Sequence, residues 1–356
     1  MQAAPSSQQV TSMKLPALLL LITTATTALD HYARTVPAVV DRVRAAQVTA
    51  DACDTFAPCA APVLADAADA DAALASLRTH GYAIVESPGL AERWLDGARA
   101  MTADDQLQGV WGSTAAAGRP DTLYGGYGGR TAVYVDIRWD EHGRTLPRDC
   151  GAAAPALEGC FLAERLATRL LDAALVPRGV VDGPGAARPG RRDVSSASLR
   201  LCRYAPETGD DAGEAPWSTC RPHADAAWLA LAPIGDVPGL AFYDAARGAW
   251  VEPERGREAV PKHRADLDAI DATVDFAHRR EGSLLVWTGL LLEAHDPAYK
   301  AAVHMVRRAD RERVSAPLLL RGAPDSPDMR AVWKALQADD AASARASLFA
   351  DRELVS

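Results

Sequence analysis

The stretch Cys220–Leu231 reads CRPHADAAWLAL, and its His223-Ala224-Asp225 centre decides how the chain is read. It lies among short apolar runs, so it is taken as strand. Residues i and i+2 of a strand share a face, which aims one imidazole and one carboxylate at the same point. A second imidazole, His304, comes later in the strand-like run YKAAVHMV, Tyr299–Val306. Two imidazoles and one carboxylate on one side of an ion leave three positions open, a facial set that suits Fe(II) and oxygen chemistry. His-x-Asp by itself is weak, and alone it reads sooner as a surface turn or a satisfied core histidine than as a metal motif. Its weight comes from its downstream companions and their order. Arg313-Val314-Ser315 heads a later strand and again places i and i+2 on one face. A guanidinium fork and a hydroxyl there suit a carboxylate. A cosubstrate that chelates the metal at one end and carries a carboxylate at the other fits both groups. The bland alternatives are a surface salt bridge for Arg313 and a strand-edge hydroxyl for Ser315.

Outward from this stretch, apolar runs recur between turns: Leu199–Tyr204, Trp228–Leu231, Gly239–Tyr243, Ala249–Val251, Ser283–Trp287, Ala302–Val306 and Val314–Leu320. Such spacing predicts a β sandwich or barrel. A charged insert, 253–278, interrupts it. Upstream, Asp66–Thr79, Leu90–Met101 and Phe161–Leu175 carry helical periodicity, and Tyr82–Val85 reads as a strand. Residues 29–65 read as irregular apart from an amphipathic piece near Val39–Val48. Residues 110–150 show few periodic signals, 178–192 read as a loop, and Met329–Ala338 reads as a closing helix. The Gly125–Gly129 cluster lies after no convincing strand, so a phosphate-loop reading is weak.

The chain has 356 residues, 48% hydrophobic and 24% charged, an ordinary globular mix able to bury a sizeable core. Its net charge of −9 lacks the basic footprint of a general nucleic-acid binder. After Met13-Lys14, the run Leu15–Ala28 (LPALLLLITTATTA) has the parts of a secretory signal, with cleavage expected after Ala28. It is shorter than the ~20 residues of a comfortable membrane span. The alternatives are a frayed N-terminus or a transit peptide, so the secretory pathway or an organelle lumen is expected, or the cytoplasm if the leader is not functional. Six cysteines lie beyond the leader, an even number that suggests disulfides. Sequence neighbours would pair as 53–59, 150–160 and 202–220; scattered buried thiols are the alternative. No CxxC is present, so a zinc ribbon is not indicated.

Taken in order, these segments resemble a family. Residues 197–321 resemble the core of the 2-oxoglutarate- and Fe(II)-dependent dioxygenases of the isopenicillin N synthase-like superfamily. Leu201–Pro206 (LCRYAP) resembles the family's Asn-Tyr-Tyr-Pro segment, with Tyr204 at the second Tyr. His223-Ala224-Asp225 matches the metal motif. Pro238-Gly239-Leu240 and Trp250-Val251 resemble the Pro-Gly-Leu-Gln and Trp-Val strands. Gly282-Ser283 resembles the Gly-Asp pair, and Trp287-Thr288-Gly289 the Thr-Asn-Gly turn. Tyr299–His304 is similar to Tyr-Lys-Ser-x-x-His, and Arg313-Val314-Ser315 matches Arg-x-Ser. Leu77–Val85 (LRTHGYAIV) resembles the Gly-Phe segment that opens such enzymes. Each piece is unspecific; the ordered set is specific. The chain departs from the pattern at Cys202, where the family has Asn, and at Ser283, where it has Asp.

The resemblance implies a mainly β fold with flanking helices around a double-stranded β-helix, or jelly roll. It implies Fe(II) on His223, Asp225 and His304. It further implies 2-oxoglutarate as cosubstrate on Arg313 and Ser315, with Tyr204 beside it. The implied activity is oxidation of a small organic molecule, by hydroxylation or desaturation, with oxygen consumed and succinate and CO2 released. A related oxidase that does not use 2-oxoglutarate and a non-catalytic jelly-roll binding module are the alternatives. The expected organisation is a leader at 1–28, then a mainly helical flank at 29–195 belonging to the same catalytic unit. The core spans 196–322 with its insert at 253–278, and a C-terminal helix lies within 323–356. No nucleic-acid partner and no stable membrane span are expected, and the oligomeric state is not readable. His295 is expected in a solvated turn, and His263 and His278 exposed in the insert. His80 is expected to serve a turn. Arg203 is expected to face outward into a salt bridge, with Arg200 on the face of Tyr204.

Overall fold

The computed structural model describes residues 15–53, 55–64, 70–103, 132–139, 145–146, 154–175, 197–204, 218–235, 237–255, 260–261, 282–307, 311–321 and 327–338. In chain order, the first elements are α1 (Leu15–Ala52), β1 (Thr55–Phe56), β2 (Val63–Leu64), α2 (Ala70–His80), β3 (Tyr82–Glu86) and α3 (Pro88–Ala103). Next come β4 (Ala132–Trp139), β5 (Thr145–Leu146), α4 (Ala154–Leu175), β6 (Ala197–Tyr204), β7 (Ser218–His223) and β8 (Leu229–Pro233). After them come β9 (Leu240–Asp244), β10 (Ala249–Val251), a 3-10 turn at Pro253–Arg255, β11 (Val260–Pro261) and β12 (Ser283–Thr288). The last are α5 (Leu290–His295), β13 (His304–Arg307), β14 (Arg313–Ser315), β15 (Leu318–Leu320) and α6 (Pro327–Ala338).

Among the described residues the strands build two sheets and a short ribbon. The larger sheet runs β2-β3-β12-β8-β15-β6-β4-β5, with β14 also paired to β6; the smaller runs β10-β9-β13-β7. The ribbon joins β1 and β11. The large sheet buries both faces, which is why its strands read as continuous apolar runs rather than alternating ones. On β12, Leu284 and Val286 join a core shared with the helices, while Leu285 and Trp287 join a second core. Strand β8 divides in the same way, Leu229 and Leu231 against Ala230 and Ala232. That second, inner core also takes Leu240 and Phe242 of β9, Val251 of β10 and Val306 of β13. It therefore lies between the sheets. Helices α3 and α4 bury Trp94, Ala98, Leu166 and Leu170 on the far side of the large sheet. Each fully buried Leu contributes roughly 1.5–3 kcal/mol.

The expectation of a mostly irregular segment at 29–65 needs correcting. Residues 29–52 belong to one continuous helix, and the expected cleavage point after Ala28 falls inside it. Tyr32, Val36, Val39, Val40, Val43, Ala46 and Ala50 recur at three- and four-residue spacing and are all buried. That stripe extends well beyond the amphipathic piece read from the sequence. The indole of Trp250 donates to the Ala46 carbonyl at 3.0 Å, tying α1 to the small sheet. No helix among the described residues is long and apolar enough to cross a membrane.

Within the stretch that shows few periodic signals, residues 132–139 form a full strand. Strand β4 pairs with β6 from Ala132↔Tyr204 to Arg138↔Ser198. Cys53, Cys59, Cys202 and Cys220 carry thiols, so the pairings 53–59 and 202–220 do not form. Cys59 instead sits 3.3 Å from the Tyr82 hydroxyl, and Cys220 lies 3.7 Å from His223 Nδ1. Cys150, the Gly125–Gly129 cluster, the 178–192 stretch, His263 and His278 lie outside the described residues, as does the Cys160 side chain.

Candidate metal centre

His223 ends β7 and His304 opens β13, and the two are register partners across that antiparallel pair. Their rings face each other, centroids 4.2 Å apart. Asp225 lies two residues past the end of β7, so the strand-parity argument that placed it is not the reason it converges. It is held from the other side. The backbone N–H of Leu290 donates to the Asp225 carbonyl at 2.9 Å, that of Leu291 to Ala227, and that of Gly289 to Trp228. The start of α5 thus clamps the loop that carries Asp225. Gly289 is required there for room: a Cβ would lie 2.0 Å from the Ala227 carbonyl oxygen and 3.0 Å from that of Asp225.

The three side chains are buried, and one ligand atom from each lies within 4.8 Å of the others. His223 Nε2 is 3.9 Å from Asp225 Oδ1, and His304 Nε2 is 3.6 Å from Asp225 Oδ2. Nδ1–H of His223 donates to the Arg221 carbonyl at 2.9 Å, and Nδ1–H of His304 to Ala302 at 3.0 Å. Carbonyls only accept, so both rings present a bare Nε2 to the centre, the arrangement of metal-ligating histidines. Burial and the adjacent His304 push His223 down to about 4, so it stays neutral near pH 7. Burial opposes ionisation of Asp225, but His304, His223 and the Trp287 indole together hold its pKa below the usual carboxylate value. Two imidazole nitrogens and one carboxylate around a space for one small ion fit a divalent metal.

Trp287 went unassigned in the sequence. Its Nε1–H donates to Asp225 Oδ2 at 2.8 Å, and its ring packs 5.5 Å from His304. It anchors Oδ2 and so restrains the orientation of the Asp225 carboxylate beside the imidazoles. Removing an outer partner of this kind costs roughly 10–100-fold in metal affinity. Trp287→Phe is expected to weaken Fe(II) binding within that range, and an unchanged calorimetric affinity would remove Trp287 from this role.

Arg313 and Ser315 lie on the inward face of β14, with Val314 between them less buried. Arg313 pairs with Tyr204 in register, and its guanidinium sits 5.4 Å over that ring. Burial pushes the Tyr204 phenol well above its ordinary value, which keeps it neutral. Unlike the sequence expectation, Arg313 already has an acidic neighbour. Nη2 donates to Glu254 Oε1 at 3.1 Å and Nε to the Val237 carbonyl at 3.1 Å. Burial disfavours the charge, but Glu254 outweighs it and raises the guanidinium pKa. Among the described residues Nη1 is buried without a partner, and this orphan donor is the group that fits an incoming carboxylate. Gly239 lets the guanidinium approach, since a Cβ there would meet Arg313 Cδ and Nε at 3.3 Å. Glu254 was missed because it sits in a run of charged residues that reads as solvated surface, yet it is 2% exposed.

Among the other expectations, Arg203 forms its outward salt bridge, with Glu312 at 2.7 Å. His80 closes α2 before Gly81, whose φ of 79° makes the turn. His295 is half-buried rather than in a solvated turn: it ends α5, packs on Trp228 at 4.8 Å and bonds Asp328 at 3.0 Å.

No protein-family model matches the sequence, and no curated protein matches it. Solved structures do. A candidate oxygenase from Shewanella oneidensis aligns over 78% of this chain and 98% of its own, at 19% identity and TM-score 0.52. A full-length Neurospora crassa protein, solved in complex with alpha-KG and 5-formyluracil, aligns over 75% of this chain and 86% of its own, at 16% identity and TM-score 0.52. The Arabidopsis thaliana dioxygenase for auxin oxidation 1, solved with 2-oxoglutarate, covers 75% and 94%, at 11% identity and TM-score 0.50. At these identities the likeness is one of fold, and this sheet-rich chain with its flanking helices shares its fold with these solved proteins.

Proposed function

We propose that this chain is an Fe(II)- and 2-oxoglutarate-dependent dioxygenase that hydroxylates or desaturates a small organic molecule and releases succinate and CO2. The observation that carries the reading is the convergence of His223, Asp225 and His304, each oriented by its own hydrogen bond. The orphan Nη1 of Arg313 supports the cosubstrate. So do the fold neighbours, two of which were solved with that 2-oxo acid. In this reading the two facing sheets are the halves of a double-stranded β-helix. The helical flank and α6 belong to the same unit, which the Tyr32–Asp328 bond between α1 and α6 supports. A leader ending near Ala28, and with it a secretory or organellar location, stays a separate proposal. N-terminal sequencing of the protein from its native source tests it.

Iron bound here would supply oxygen activation coupled to decarboxylation of the 2-oxo acid. The chain's own part is positioning and exclusion. His223 and His304 offer Nε2 and Asp225 offers Oδ1 or Oδ2, and no fourth protein ligand among the described residues closes the set. Arg313 Nη1, with the Ser315 and Tyr204 hydroxyls, receives the distal carboxylate. Phe242, 5.8 Å from His304, and Tyr82 stacked on it at 4.7 Å wall the centre and keep water away.

The test is anaerobic titration of Fe(II) into the protein with 2-oxoglutarate, and then admission of oxygen. A weak visible charge-transfer band and succinate are expected from wild type, and neither from His223→Ala. Absence of the band in wild type, or its survival in the variant, sinks the reading. The ion pair of Arg313 with Glu254 favours a second reading, an iron oxidase that does not use 2-oxoglutarate. Oxygen consumption without succinate would identify it.

A further inference from the structure

The carboxylate beside Arg313 is built in. Glu254 Oε2 accepts from the backbone N–H of Gly239 at 2.6 Å and of Leu240 at 2.8 Å, while Oε1 accepts from Arg313 Nη2 at 3.1 Å. Both partners of the ion pair are almost fully buried, with side chains 3% and 1% exposed. Anchored by two backbone donors, Glu254 cannot swing aside for a ligand without leaving those donors unsatisfied. The neighbouring cation is matched in the same way: Arg307 donates to Glu252 at 2.8 Å. Cation and anion therefore cancel in pairs along this end of the inner core, and an arriving carboxylate meets a donor rather than a net positive charge.

We propose that Glu254 is a specificity-determining residue of the cosubstrate subsite. By holding Arg313 in a neutral ion pair, it lowers the advantage of a distal carboxylate, so that 2-oxo acids lacking one are also accepted. The inference rests on the dioxygenase reading above. Its physical basis is that a hydrogen bond between ionised partners is roughly twice as strong as a neutral one, and a counter-charge in contact removes most of that gain. Glu254→Gln keeps an oxygen for the two backbone donors and removes the counter-charge. Arg313 then becomes a buried cation that has lost its Glu254 counter-charge, and a ligand carboxylate can take that place.

The experiment is anaerobic calorimetry on the full chain loaded with Mn(II), using 2-oxoglutarate and 2-oxopentanoate, which has the same carbon chain without the distal carboxylate. In wild type the two affinities are expected to lie within about tenfold of each other. In Glu254→Gln, 2-oxoglutarate is expected to tighten by about tenfold while 2-oxopentanoate changes by less than about twofold. A wild-type preference above about tenfold overturns the proposal, as does an unchanged preference in Glu254→Gln. If the variant does not fold, the wild-type ratio alone decides. Binding of neither acid to Mn(II)-loaded wild type overturns the dioxygenase reading with it. Tight, selective binding of 2-oxoglutarate overturns only the role of Glu254.

Discussion

His304→Ala is expected to bind Fe(II) at least about a hundredfold more weakly than wild type and to form no succinate, while remaining folded. Loss of an outer hydrogen-bond partner already costs roughly 10–100-fold, and here a ligand itself is removed. The remaining pair, His223 and Asp225, cannot form a facial set. The loss stays local for two reasons. The His304 imidazole bonds the protein only through Nδ1 to the Ala302 carbonyl, among the hydrogen bonds described. Its strand is also held independently, β13 pairing with β9 through Met305↔Ala241 and Val306↔Leu240. The cavity left beside Phe242 and Trp287 lowers stability by a few kcal/mol without removing those pairings. Metal content after dialysis against Fe(II), read alongside a circular-dichroism melt, checks both halves. A folded variant that still holds one iron at wild-type affinity would show that the metal sits elsewhere.

The convergence of His223, Asp225 and His304 was legible because reactive residue types lie on or beside short strands, and their order along the chain carried more information than any one of them. The core strands were legible for a related reason. Runs such as Leu284–Trp287 are apolar throughout because both faces are buried, and such runs stand out in any sequence. The features that could not be read depend on long-range geometry. Glu254 is far from Arg313 in sequence, and nothing local marks one acidic residue in a charged insert as buried. Trp287 reads only as the end of an apolar run, and the fold alone brings its indole to Asp225. Asp225 was placed correctly for an incomplete reason: strand parity ends at His223, and the clamp from Gly289, Leu290 and Leu291 does the rest. Helix α1 was under-read because Ala and Thr dilute its stripe of buried Val, and β4 because it lies in a Gly-rich neighbourhood. The disulfide expectation failed where spacing stood in for geometry, since Cys202 and Cys220 lie on strands of different sheets.

Gly289→Ala is expected to be the most damaging single methyl group that can be added near the centre. The backbone of Gly289 is extended, with φ −104° and ψ 176°, so alanine incurs no conformational strain there. The obstacle is space. The new Cβ would lie 2.0 Å from the Ala227 oxygen and 2.6 Å from its carbon, and backbone cannot rotate aside as a side chain can. Either α5 lifts from the loop or the loop moves, and both break the bonds from Gly289, Leu290 and Leu291 that hold Asp225 against the imidazoles. Overpacking in a close-packed site costs about 1–3 kcal/mol and more when backbone must shift, so a loss of roughly 3 kcal/mol or more is expected, together with weakened Fe(II) binding. Gly248→Ala is the matched control. Its φ is +60° with nothing within 4 Å of a new Cβ, so it carries only the left-handed backbone cost of about 1–2 kcal/mol and leaves iron affinity alone. Urea unfolding and iron titration of the two variants side by side separate the cases. If Gly289→Ala matches Gly248→Ala in both measurements, the α5 clamp does not hold Asp225, and the position of that carboxylate must come from Trp287 and the metal alone.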